Sequence, residues 1–442
     1  MMDFQHALPH GWETTRLDRV ATVNARIGWK ALTASEYQPD GYAFLATPNI
    51  KDPEIDFTNV NYISEFRYNE SPELKLQIGD VLLAKDGNTL GVVNIVRRLP
   101  RAATVNGSIA VLRSFNMEPR FLRYVLQSNF LQSHINAVKD GMGVPHLFQR
   151  DIKRFQLPAP PMEEQRRIAD FLDAETARID QLVAALQRKL DLLAERRATG
   201  VVAAVSGSAH ADRRSSTLAW LESVPTAWQE VRLGLLARMG SGHTPSRSRP
   251  EWWTDCHIPW VTTGEVRQVR DDRVEDLYET REKISELGLA NSAAELHPAG
   301  TVFLCRTASA GYSGVMGVDM ATSQDFVTWT CGPRLVPHFL LWCLRAMRPD
   351  LLGRLAMGST HKTIYVPDLQ MLRIPLPPLN EQKEIVRTIR RQNNQIDALT
   401  DRVRRQQELL CERRQALITA AVTGQLEVST ASGRNVTEGV TA

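Results

Sequence analysis

Apolar residues recur with helical spacing in two long stretches of this chain. In residues 157–207 they fall at Ile168, Leu172, Ile179, Leu182, Leu186 and Leu193. In residues 374–424 they fall at Ile385, Ile389, Ile396, Leu399, Val403 and Leu410. Steps of four and three alternate, with polar interruptions at Glu175 and Lys189 in the first stretch and Gln392 and Gln406 in the second. A seam that narrow, repeating every seven residues, marks a helix that pairs with another helix, and polar residues within it fix register. Both stretches are rich in good helix formers, and no proline follows Pro161 or Pro378 before each stretch ends. A proline suits a first helical turn, and a glycine such as Gly207 or Gly424 suits the stop. About 45 residues at ~1.5 Å each predict rods of roughly 65–70 Å.

The two stretches are copies. They align without a gap at an offset of 217, with 19 of 51 positions identical, among them Gln165 on Gln382, Asp180 on Asp397 and Arg197 on Arg414. The repeat extends beyond the helices: LPHGWETTRL near the start matches VPTAWQEVRL at 224–233, Trp12 falling on Trp228. Repeats of this kind govern the architecture. The expected class is α+β: two mixed α/β globular domains in tandem, each followed by a long helix, the helices pairing as an antiparallel coiled coil. The expected boundaries are 1–156 and 157–207 for the first domain and helix, 208–223 for a polar linker, 224–373 and 374–424 for the second pair, and 425–442 for a disordered tail. One departure is Gly200, where the second copy has Leu417. A mid-helix glycine costs ~1 kcal/mol against alanine, so the first helix is expected to fray or bend near its end.

Within the domains, alternation and turn chemistry predict hairpins at VLLAKDGNTLGVVNIV and at GTVFLCRTASAGYSGVMGV. Each delivers a loop with a basic residue and small polar residues: Lys85 and Asn88 in one, Arg306, Ser309 and Tyr312 in the other. Such a loop either contacts a substrate or is an ordinary solvated tip. A basic cluster, Arg97, Arg98 and Arg101, follows the first hairpin. A glycine-bounded loop precedes each long helix, at 141–146 and 358–363; the second holds Thr360, His361, Lys362 and Thr363, suited to phosphate and base-edge hydrogen bonds. The stretch 241–266 carries His243, Thr244, Arg247 and Arg249 beside Trp252 and Trp253, a mixture that suits a nucleic-acid surface.

Composition narrows this picture only a little. The formal charge is +3, and residues 1–156 hold 18 basic against 16 acidic side chains, so any basic surface is local. Five cysteines without a CxxC pattern indicate neither a zinc site nor a disulfide framework and fit a reducing compartment. No apolar h-region or run of ~18 apolar residues points to a signal peptide or membrane span. The phosphate-binding GxxxxGK[ST] motif is missing, as is the acidic or Asn-containing PPY/F tetrapeptide of a methyltransferase. The residues themselves thus describe a binding protein with two readers and a rod, without catalytic or metal-ligating residues of its own.

Two variable halves, each closed by PxPPxxEQxxI and a long helix running to ERR…AAV[ST]G, resemble the specificity (S) subunit of type I DNA restriction-modification systems. SGHTPS, IPWVTTGEV and ATSQDF in the second half resemble one type of target recognition domain. The resemblance implies that each domain reads one half of a bipartite double-stranded DNA site and that the paired helices act as a ruler for the spacer. It implies partners too: methyltransferase (M) subunits, two of them, bringing S-adenosylmethionine, and restriction/translocase (R) subunits using ATP and Mg2+. The chain itself would then bind no cofactor and would be the non-catalytic part of a restriction endonuclease and adenine methyltransferase complex in a prokaryotic cytoplasm, away from membranes. Half-sites about one DNA turn apart, ~34–36 Å or multiples, are the geometric expectation. Two other readings stand beside this one: a coiled-coil adaptor that links proteins without reading DNA, and an enzyme with its own nuclease or methyltransferase site.

Overall fold

The structure is a computed structural model, and it describes residues 8–26, 32–51, 53–139, 145–356 and 362–428. The chain forms two compact units, one drawn from residues 1–187 and 404–442, the other from 188–403. Each unit therefore contains one globular segment and a piece of each long helix.

Unit 1 is organised on an antiparallel sheet of β1 (Ala21–Ala25), β2 (Val81–Ala84), β3 (Val93–Ile95) and β4 (Ile109–Ser114), in the order β1-β4-β2-β3. Strand β2 reads VLLA and is buried throughout, because both faces of the sheet are covered. Val81 and Leu83 join a core with helix α1 (Pro119–Gln127). Leu82 and Ala84 join a second core with strands Tyr42–Leu45 and Ala103–Val105. The last turns of the helix Leu379–Val422 close the first core: Leu417, Ile418, Ala421 and Val422 pack into it.

Unit 2 repeats the plan with β5 (Ala237–Ser241), β6 (Asp276–Leu277), β7 (Val302–Cys305), β8 (Ser313–Met316) and β9 (Phe326–Cys331), in the order β5-β9-β7-β8-β6. Val302 and Leu304 face the core with helix α3 (Pro337–Asp350), to which Val201 and Val205 also belong. Phe303 and Cys305 face a second core with Val261, Met316 and Phe326.

The long helices are α2 (Met162–Val205) and α4 (Leu379–Val422), 44 residues each. The fraying expected from Gly200 does not occur: α2 stays helical through that position to Val205. The repeated EQ pair explains how each helix is seated. Gln165 is 4 % exposed; its Oε1 accepts from the Glu118 N–H at 2.9 Å and its Nε2 donates to the Pro160 carbonyl at 2.7 Å. Gln382, fully buried, accepts from the Val336 N–H at 2.8 Å and donates to the carbonyls of Arg334 and Pro377. Each glutamine thus ties the loop leading into α1 or α3 to the start of a long helix. At the far ends Gly207 and Gly424 have φ of +65° and +75°, and a Cβ there would lie 2.6 and 2.3 Å from Pro225 and Pro9.

The predicted seam needs a correction of one position. Ile168, Leu172, Ile179 and Leu193 are buried, as are Ile389, Ile396 and Val403; Leu186, Ile385 and Leu410 are half-buried. Leu182 and Leu399, however, are 48 % and 39 % exposed. The step of four from Ile179 and Ile396 lands instead on Val183 and Thr400, both half-buried. Of the apparent gaps, Glu175 is itself buried with Thr176 beside it, and the others are filled one residue later, by Leu190 in α2 and by Asn393 and Gln407 in α4. The stripe therefore accepts smaller and more polar residues where the largest apolar side chain sits one position to the side. Within unit 1, Arg414 Nε lies 3.5 Å from Asp180 and Gln407 Nε2 donates to the Val183 carbonyl at 3.3 Å. Within unit 2, Arg197 pairs with Asp397, and Arg273 reaches Asp397 at 3.1 Å and Asp401 at 2.8 Å. No helix among the described residues is long and apolar enough to cross a membrane.

Candidate nucleic-acid interface

In unit 2 the strand ends bring several of the predicted residues together. Beyond β7, the Arg306 N–H donates to the Asp325 carbonyl and the Arg306 carbonyl accepts from the Ile364 N–H, both at 2.8 Å. Thr307 bridges to Thr363. Thr307 Oγ1 also donates to Asp325 Oδ1, and Ser323 Oγ donates to the other carboxylate oxygen at 3.2 Å. At the tip Ala308 has φ +56°, a left-handed conformation that costs a residue with a Cβ about 1–2 kcal/mol. The 241–246 segment lies against the same turn. The His243 N–H donates to the Thr322 carbonyl at 3.0 Å, and a Cβ on Gly242 would come within 2.0 Å of that oxygen. Thr244 Oγ1 donates to Gln324 Oε1 at 2.6 Å. Arg306 Nε donates to the Gln324 carbonyl at 3.0 Å. His243, Thr244 and Arg306 therefore contact one polar turn, 322–325, with Thr363 bridged to Thr307 beside it.

Other predicted residues are engaged elsewhere. Arg247 stacks on Trp253, 4.4 Å from the ring centroid, and pairs with Glu282 at 2.9 Å. Arg249 faces Glu251 at 3.7 Å. Tyr312 lies under Arg348 and Arg270, whose guanidinium carbons are 4.6 and 5.5 Å from its ring centroid. Lys362 Nζ donates to the Leu352 carbonyl at 3.4 Å. Thr360 and His361 lie outside the described residues.

Unit 1 has the same backbone framework and different side-chain chemistry. The Lys85 N–H donates to the Ser108 carbonyl at 2.8 Å and the Lys85 carbonyl accepts from the Leu147 N–H at 2.9 Å, the counterparts of the Arg306 bonds. Yet Lys85 is 8 % exposed and its Nζ sits 2.9 Å from Asp86, whose other oxygen is held by His146 Nδ1. Asn88 is exposed. The basic cluster disperses: Arg97 pairs with Asp173 on α2 at 2.5 Å, Arg98 with Glu54 at 3.1 Å and Arg101 with Asp40 at 3.0 Å. Asp173 also receives bonds from Tyr124 Oη at 2.7 Å and Arg120 at 3.2 Å. Burial alone would push that carboxyl up; the bonds from Arg97, Tyr124 and Arg120, with the Arg97 charge, more than reverse this and hold it below its ordinary value. Asp173, Gln324, His146 and the buried glutamines escaped the sequence reading as site residues. Only the glutamines had left a clear signal, the repeated EQ pair.

Residues 9–191 and 225–408 each match the family described as type I restriction modification DNA specificity domain. The type I restriction enzyme StySPI specificity subunit of Salmonella potsdam is 24 % identical over 417 residues, covering 90 % of this chain and 85 % of that protein. Two solved structures are similar in fold. One, from a study of complex assembly and conformational transition in the type I R-M system, aligns with a TM-score of 0.68 at 21 % identity, over 95 % of this chain and 100 % of that one. The other, the HsdS subunit from Thermoanaerobacter tengcongensis, aligns with a TM-score of 0.55 at 20 % identity, over 96 % of this chain and 100 % of that one.

Proposed function

Because the chain belongs to the type I restriction modification DNA specificity family, we propose that its two units read the two blocks of a split DNA sequence for a restriction-modification complex. It is a specificity subunit with two tandem DNA recognition domains. The observation that carries the finer reading is the duplicated loop framework. In each unit a strand end, a polar turn and the segment before a long helix are held together by matching backbone bonds. Base-edge contacts from such loops specify sequence, and phosphate contacts position the protein.

The long helices serve as the ruler, paired antiparallel. Arg197 with Asp397 and Arg414 with Asp180 are the same two repeat positions in reciprocal order, as a pseudo-twofold pairing requires. A helix of this length spans about 66 Å, enough to hold two readers one or more DNA turns apart. On this reading the chain is non-catalytic. Two methyltransferase subunits supply S-adenosylmethionine chemistry, and restriction subunits supply ATP- and Mg2+-dependent cleavage.

One observation favours the adaptor reading: Arg97, Arg98, Arg101, Arg247 and Arg249 each face a carboxylate. A steep fall in duplex binding with salt would separate the two, since phosphate neutralisation releases counterions. The decisive experiment is a genome-wide map of methylated bases with and without the gene. Loss of one split motif is expected; an unchanged map at an expressed locus overturns the DNA-reading function.

A further inference from the structure

We propose that Arg306 reads a guanine in the half-site taken by unit 2, with Gln324 as its positioning residue; the proposal rests on the DNA-reading function above. Reading a base edge requires a side chain whose donors are uncommitted and whose orientation is fixed beforehand. Arg247 and Arg249 fail the first condition, having Glu282 and Glu251 against them. Lys85, the counterpart of Arg306 in unit 1, fails it as well, being buried beside Asp86. Arg306 meets both. Its backbone is held on both sides, by the Asp325 carbonyl and the Ile364 N–H. Its Nε donates to the Gln324 carbonyl at 3.0 Å, which fixes the guanidinium plane. Among the described residues its two terminal nitrogens have no ion pair and no hydrogen bond.

A guanidinium offers donors only, in a planar fork. In the major groove guanine presents two adjacent acceptors, N7 and O6; adenine replaces one of them with a donor, thymine has a single acceptor, and cytosine presents a donor. The fork therefore selects guanine. Gln324 holds the fork through its backbone while its own side chain is pinned by Thr244 at 2.6 Å. Asp325, next along the turn, is occupied by Thr307 and Ser323 and so does not quench Arg306. The left-handed Ala308 is strain concentrated at the same loop.

The test uses the full-length chain co-expressed with its methyltransferase partner, reading the modified bases of the host genome by sequencing. Wild type is expected to mark one split motif with a G·C pair in one block. Arg306→Ala should lower discrimination at that pair roughly 5- to 150-fold, the worth of one bidentate contact, and leave the other block unchanged. Arg306→Gln should shift the same position towards adenine, the base that a carboxamide pairs with. If Arg306→Ala lowers the melting midpoint, Arg306→Lys, which keeps the charge and the stem, must still relax that position. Thr244→Val should loosen discrimination there more weakly, and Thr244→Ser should restore it. Unchanged discrimination at every position in the Arg306 variants overturns the proposal while leaving the specificity role intact. A wild-type chain that marks no split motif overturns the specificity role itself.

Discussion

Units 1 and 2 share a framework and differ in how they spend their charges. Both place a basic residue at the same strand end with the same two backbone bonds. In unit 1 that residue is Lys85, sunk beside Asp86 and His146; in unit 2 it is Arg306, whose guanidinium is held, among the described residues, through Nε alone. The same contrast appears on the helices. Asp173 of α2 gathers Arg97, Arg120 and Tyr124, whereas its repeat counterpart Arg390 of α4 pairs with Glu275 at 3.0 Å. The repeat position keeps an ion pair within its own unit and reverses its charge, its partner coming from a different segment. Backbone hydrogen bonds and apolar packing preserve a duplicated frame, while ion pairs around it change more freely, an exposed pair such as Arg98–Glu54 being worth only ~0–1 kcal/mol. A reader can therefore diverge in each half without endangering the fold.

The largest test of this division falls on the stripe of the long helices, where Leu417 stands at the repeat position of Gly200. Leu417 is 8 % exposed within the unit 1 core. Leu417→Ala should cost about 2–5 kcal/mol. Hydrogen exchange read by peptide should show lost protection in α1, with α3 unaffected. Equal loss in both would mean that the units do not hold separate cores. Next come the glutamines. Gln382→Ala and Gln165→Ala each strand a backbone donor and should cost about 1–3 kcal/mol. Gln382 should lie at the upper end because it makes three bonds against two. A larger loss at Gln165, measured by denaturant unfolding, would contradict that ordering.

Asp173 offers a smaller, pH-dependent comparison. Its carboxyl is held below its ordinary value of 3.8, so it stabilises unit 1 fully above that value and loses the contribution as pH falls through the lowered one. Asp173→Asn should cost about 1–2 kcal/mol at neutral pH. The gap from wild type should begin to narrow as pH falls below about 4 and go on closing through the lowered value. A gap that persists undiminished at pH 3 would place the stabilisation in packing rather than in charge.

How far these features were legible in the chain follows from what a repeat can signal. The two long helices, the matched halves and the EQ pair were readable, because each depends on residues that recur at a fixed offset. The seam was displaced at Leu182 and Leu399 because a search for the largest apolar side chain passes over Val183 and Thr400, which complete the alternation at lower hydrophobicity. For the basic cluster at 97–101 the sequence shows the arginines but not their partners. Nothing local announces that Asp173, Glu54 and Asp40 will stand opposite these arginines; those pairings exist only after folding. The convergence of Thr244, Arg306 and Gln324 likewise joins three segments far apart in sequence. The residue types of Thr244 and Arg306 suggested contact with a ligand; that of Gln324 did not, and only strand order could show that the three meet.

The smallest expected effect sharpens the comparison most. Gly200 and Leu417 occupy equivalent steps, yet one leaves space and the other fills it. A groove of ≈ 540 Å³ lined by Leu193, Gly200, Ile396 and Leu399 lies in unit 2. A Cβ on Gly200 would meet only Gln392 Oε1, at 3.6 Å, an ordinary contact, and α2 is already helical there. Gly200→Ala should therefore stabilise unit 2 by about 0.5–1 kcal/mol through the entropy of the unfolded chain, read as slower exchange along residues 188–205. Gly200→Leu, the residue of the other copy, should fill the groove and stabilise further if the space is simply unpacked. If alanine stabilises while leucine weakens co-purification of the methyltransferase partner, the groove is a seat for that partner and the two copies have diverged in function at this step. If alanine itself destabilises, the helix needs a glycine's freedom at this position, and the difference between the copies is one of backbone rather than of side-chain volume.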